Sequence, residues 1–175
     1  MTTETIMWLL PIFFMLHDFE EIIMFKPWIG RNAVELRRRF PALAARFLPH
    51  MERMSTSSFA VAVSIMFILV SAVTALAVIF HLYSLWTGLL LVFFSHLILH
   101  IVQYITYGGY VPVIITSVIS SVYCIWALYH ILASGYINWP EVLIWTVAMI
   151  ILGGISVFLA HRLGERFERY LKQRF

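Results

Sequence analysis

Residues 6–25 read IMWLLPIFFMLHDFEEIIMF, and the fold turns on whether this stretch lies in lipid or in water. Its polar centre is His17-Asp18-Phe19-Glu20-Glu21. On a helix, His17, Glu20 and Glu21 stand at i, i+3 and i+4 and share a face, while Asp18 points about 100° away from His17. A carboxylate at mid-membrane costs ~2.5–3.5 kcal/mol, less toward the interface. Net fold stability is only ~5–15 kcal/mol, so these acids need an answer: a partner helix, a proton or a metal. Were the span to end near Leu16, the acids would sit in interfacial water, but Ile22-Ile23-Met24-Phe25 would then be exposed before the first basic residue, Lys26. The stretch is therefore read as a span. It has no basic leader region and no small-residue cleavage site, so it reads as a mature helix.

The rest of the chain agrees with a bilayer setting. Its 175 residues are 62% hydrophobic and 12% charged, with mean hydropathy +0.89, outside the range of soluble globular domains. Six Trp and eight Tyr suit anchoring at two interfaces. A pI near 9.2 could point to nucleic acid, but the basic residues flank apolar segments, which fits anionic lipid headgroups instead. Cys124, the single cysteine, lies in an apolar run and excludes an intramolecular disulfide or a cysteine-based zinc site.

Five apolar stretches are long enough to cross a ~30 Å hydrocarbon core: residues 6–25, 58–81, 84–106, 110–133 and 139–161. They predict an all-α, polytopic membrane domain over residues 1–175, with the short links making consecutive helices antiparallel neighbours. Pro11 should kink the first span. Asn138-Trp139-Pro140-Glu141 reads as a helix start. All twelve basic residues fall in the link 26–57 or the tail 162–175, which an odd number of spans places on one side. The positive-inside rule makes that side cytoplasmic, with the N-terminus outside, in a bacterial-type inner membrane. After Pro41, Leu43, Phe47, Leu48 and Met51 recur at helical spacing opposite Arg46 and Arg53, as Leu163, Phe167 and Leu171 do opposite Arg162, Arg166, Arg169 and Lys172. Both read as interfacial amphipathic helices, with docking to another protein the second choice.

The third span supplies a partner for the acids. His96, His100 and Gln103 stand at i, i+4 and i+7, one polar stripe at a depth similar to His17, Glu20 and Glu21. Imidazole and carboxylate ligands suit zinc, iron or manganese, so His17, Glu20, Glu21, His96 and His100 are the candidate metal ligands. An unligated acid could serve as general base to an activated water, and Tyr110 either joins the cluster or sits at the headgroups. Gly108 and Gly109 allow a tight reversal, and Pro112 suits the first turn of the next helix.

Taken together, these residues resemble the HXXEE family of bacterial and archaeal membrane proteins, whose activity is unassigned. His17, Glu20 and Glu21 match its H-x-x-E-E motif. His100, or else His96, fits its further histidine, and Tyr110-Val111-Pro112 its Y-x-P-G element, with Val113 where the family has Gly. The resemblance runs from Trp8 to Thr116 and implies no mechanism.

Three function classes remain. One is a metal-dependent membrane enzyme, a hydrolase or oxidase acting on a lipid or another membrane-embedded, amphiphilic substrate, with His17, Glu20, Glu21, His100 and Tyr110 as catalytic residues. Its metal-free variant, similar to membrane glutamate proteases with E-E-x-x-x-R, meets Phe25 where that Arg belongs. Another is a proton, ion or small-molecule transporter, which needs polar residues through the outer half or a homodimer; His81 and His130 lie isolated there. The last is a non-catalytic module in which the cluster locks helices together. Gly153-Gly154, and Ser117 with Ser121, allow close helix approach within one chain or between two.

Overall fold

A computed structural model describes residues 1–174; Phe175, the end of the expected tail, lies outside the described residues. Six helices make up the fold: α1 (Thr3–Arg39), α2 (Pro41–Arg53), α3 (Thr56–Ile79), α4 (Tyr83–Tyr107), α5 (Ile114–Ala133) and α6 (Trp139–Arg174). There is no strand among the described residues. Their ends follow local chemistry. The Thr2 and Ser55 side chains accept from Thr5 N and Ser58 N, capping α1 and α3. At the end of α3, His81 turns left-handed (φ 54°) and Leu82 N–H donates back to Ala77 O at 2.9 Å. Gly108 (φ 70°) closes α4 in the same backbone region. The Asn-Trp-Pro-Glu sequence opens α6, where Asn138 Nδ2 donates to Glu141 Oε1.

Among the described residues, four helices are long and apolar enough to cross a membrane: α3, α4, α5 and Trp139–Leu171 of α6. Helix α1 is longer but carries the acids. It does not stop at Phe25, as its composition had implied, but runs through Lys26 and Pro27 to Arg39. Pro27 removes only one backbone hydrogen bond. That loss is offset because Phe25, Ile29 and Ala33, on one face, pack against Ala44 and Leu48 of α2. The basic tail likewise continues α6 without a break.

The packing order departs from chain order. Helix α4 lies at the centre, its residues Ser84, Leu85, Trp86, Thr87, Gly88, Leu89 and Leu90 all buried. Helix α6 packs on α3 and α4, and α5 on α4 and α1, so α5 and α6 do not touch although five residues join them. The expected neighbouring of consecutive helices thus fails at that link. Two glycines explain where α6 goes. A Cβ on Gly88 would meet Thr146 N at 2.8 Å, and one on Gly164 would meet Ser58 O at 2.5 Å. Only a bare backbone admits these crossings. Ser117 and Ser121 are buried inside the chain, whereas a Cβ on Gly153 or Gly154 would meet nothing within 4 Å.

Candidate metal centre

Helices α1 and α4 meet only locally, and side chains span the gap. From α1 comes His17, with 0% exposure. From α4 come His96 and His100, brought to one face by their i, i+4 spacing. The ring centroids of His17 lie 5.2 Å from those of both His96 and His100, and the latter two are 4.5 Å apart. One ring nitrogen from each falls within 4.8 Å of the others, so the three could hold a metal ion.

Their second nitrogens show which atoms are free. His100 Nδ1 lies 3.0 Å from Gln103 Oε1, an acceptor, so Nδ1 carries the proton and Nε2 the lone pair. That Nε2 is 3.1 Å from His96 Nε2. Two imidazole nitrogens around one tetrahedral ion stand about 3.3 Å apart, from bonds of about 2.0–2.1 Å. His17 Nδ1 lies a long 3.5 Å from Thr116 Oγ1, and that hydroxyl donates to Glu20 Oε2 at 2.7 Å. With its hydrogen given to Glu20, the Thr116 oxygen can accept from His17 Nδ1–H. His17 Nε2 is buried with no hydrogen-bond partner. An unpaired buried imidazole nitrogen costs about 1–3 kcal/mol, which a ligated ion would remove. The donor set therefore fits a divalent transition metal.

The two motif glutamates do not join this convergent set. Both are half-buried. Glu20 accepts from Thr116 N at 2.9 Å and from the Tyr110 hydroxyl at 2.9 Å, besides Thr116 Oγ1. It therefore sits at the N-terminus of α5, where Val113 gives no side-chain cap. The Y-x-P element and the acid of H-x-x-E-E are thus one hydrogen-bonded unit. Tyr110 lies in the connection between α4 and α5, and burial, then its bond to Glu20, raises its pKa to about 12. It remains a donor at neutral pH. Val113, next in line, is buried and left-handed (φ 67°), strained for a β-branched residue and natural for glycine.

Glu21 faces elsewhere. With His100 and Gln103 it forms the polar end of a cavity of about 540 Å³ whose other walls are mostly apolar residues of α1, α2 and α4. Asp18, off the His17 face as its register requires, is buried at 4% exposure. Beyond the site, Trp28 Nε1 donates to Tyr110 O, and the Tyr107 hydroxyl donates to Asn32 Oδ1, locking α1 to the α4–α5 turn. Thr116 was invisible to sequence reasoning. The only hint was an α5 start without a Ser, Thr, Asp or Asn cap.

A family model described as "protein of unknown function with HXXEE motif" matches residues 8–127. No curated protein and no solved structure matches the chain.

Proposed function

The chain belongs to the HXXEE family, and from that premise we propose that it is a five-span membrane enzyme built around a metal held by His17, His96 and His100. The observation that carries this reading is the convergence of three imidazoles on His17 Nε2, a buried nitrogen without a partner. A bound divalent ion (zinc, iron or manganese) supplies Lewis acidity for attack on a carbonyl or phosphoryl group of a lipid or other amphiphile. The protein's own groups orient that chemistry. Gln103 and Thr116 hold the two Nδ1 protons, and Glu20 holds Thr116. Glu21, which shares the cavity wall with His100, is the acid placed to take a proton from an attacking water.

The fifth span in this reading is the first half of α1. Ile12, Leu16, Phe19 and Ile23 recur at helical spacing with exposures of 54, 48, 50 and 65%. Such an apolar stripe, continuous past the acids on the opposite face, suits lipid rather than water. The N-terminus is then outside, and both the α1–α2 basic segment and the α6 tail are cytoplasmic. Transport is the weaker reading, because Leu10, Phe14, Phe93 and Leu97 belong to an apolar core that includes the outer half of α1.

Elemental analysis of purified protein tests the metal. About one equivalent of a divalent transition metal is expected, lost on His17→Ala and on His100→Ala. A metal-free protein whose stability still depends on these histidines would leave only a structural lock between α1 and α4.

A further inference from the structure

The cavity that His100 lines is large for a site whose strongly polar lining is His100, Gln103 and Glu21. Its volume of about 540 Å³ lies within the usual range for small-molecule sites, roughly 300–1,000 Å³. From the polar end the walls pass to Phe25, Ile29, Leu43, Ala44, Phe47 and Val102, with no further charge. Gln103 spends its carbonyl oxygen on His100, so its amide N–H groups remain for an acceptor. A second hollow of about 300 Å³ shares Trp28 and Tyr107 with the first as a common wall, and is lined also by Arg31, Asn32 and Tyr110. Arg31 is exposed and makes no ion pair or hydrogen bond among the described residues. Its neighbours in sequence differ: Arg37 pairs with Glu52, and Arg38 with Glu35. One uncommitted cation and one free amide donor thus line two adjoining hollows, the larger of them mostly apolar.

We infer that the paired cavities bind an anionic membrane lipid, with one acyl chain in the α1–α2–α4 cavity, its ester carbonyl against Gln103 and His100, and its phosphate on Arg31. This rests on the proposed function for the role of the metal but not for the lipid itself. The unpaired guanidinium of Arg31 favours an anionic headgroup over a zwitterionic one, whose own ammonium already offsets its phosphate. It also places the ester carbonyl beside His100, one of the three imidazoles.

Photolabelling tests the inference. The full chain is reconstituted in phosphatidylcholine vesicles holding a trace of phosphatidylglycerol with a diazirine in one acyl chain, and labelled peptides are mapped by mass spectrometry. Labels are expected on α2 and on the Val102–Thr106 part of α4. Labels confined to the outward face of α6, around Ile150 and Ile151, would overturn the inference. Ala44→Phe narrows the cavity and should cut cavity labelling about tenfold; Val102→Trp does so from the opposite, more exposed wall should the first variant misfold. Undiminished labelling in a folded variant of either kind contradicts the chain assignment. Arg31→Gln should abolish the preference for phosphatidylglycerol over an equally labelled phosphatidylcholine, and a preference that survives contradicts the headgroup assignment. His17→Ala, which removes a metal ligand that does not line the cavity, separates the two readings. Cavity labelling that persists while metal is lost supports lipid binding independently of the centre. Labelling in a wild-type protein without metal sinks the enzyme reading alone.

Discussion

At His100, the Nδ1 proton is committed to Gln103, which turns Nε2 toward His96 and His17. Gln103→Leu should keep the ligand but free its ring, weakening metal binding about 10–100-fold, as loss of outer hydrogen bonds does at other centres. Competition with a chelator of known affinity measures this, and unchanged affinity would mean that the ring is held by packing alone. Val113 gives a second test at this scale. A left-handed L-residue carries ~1–2 kcal/mol of strain, and glycine removes it. Val113→Gly and Val113→Ala both lose buried methyl groups, yet the glycine variant should melt higher, by about 1 kcal/mol in stability. Equal melting would show that the backbone relaxes once the branched side chain is gone. The shared face of His96 and His100 could be read from the chain because i, i+4 geometry is local, and similar depth in the span matched His17 to it. The role of Glu20 could not. Its partners, Thr116 and Tyr110, lie 96 and 90 residues away, and only the docking of α5 against α1 brings them near.

Among the elements, α6 depends on two bare crossings. Gly88→Ala places a methyl against the backbone of Trp145 and Thr146, which cannot yield as a flexible side chain would. Such overpacking costs about 1–3 kcal/mol, so the detergent-solubilised variant should melt well below wild type. Gly153→Ala, where nothing lies within 4 Å, should be neutral. Should Gly153→Ala destabilise as strongly, its face would be packed by a second copy. Apolar length made four of the five expected spans legible from sequence, and the Asn-Trp-Pro-Glu start was legible for its capping chemistry. The continuation of α1 was not. Lys26-Pro27 reads as a stop, and the reason it is not lies in tertiary contacts of Phe25, Ile29 and Ala33 with α2. The central place of α4 was equally hidden, since loop length constrains neighbours but not layers.

For the whole molecule, the first half of α1 decides between four crossings and five. With five, the termini lie on opposite sides of the membrane. Native Cys124 is buried, so a cysteine placed elsewhere reports alone. In intact cells, Thr3→Cys should react with a membrane-impermeant maleimide and Gln173→Cys should react only after lysis. Equal accessibility of both would return α1 to one side and remove the intramembrane setting of the acids. The same architecture explains why a chain this apolar keeps a polar centre. His17 and the α4 histidines adjoin the apolar core of α1, α3, α4 and α5, and His100 also lines the cavity walled by α1, α2 and α4.

The most direct measurement is X-ray absorption at the metal edge of the purified protein. The account predicts about three imidazole nitrogens near 2.0–2.1 Å, with one of them lost in His96→Ala. A shell made only of oxygen, unchanged when His17 or His100 is removed, would contradict it.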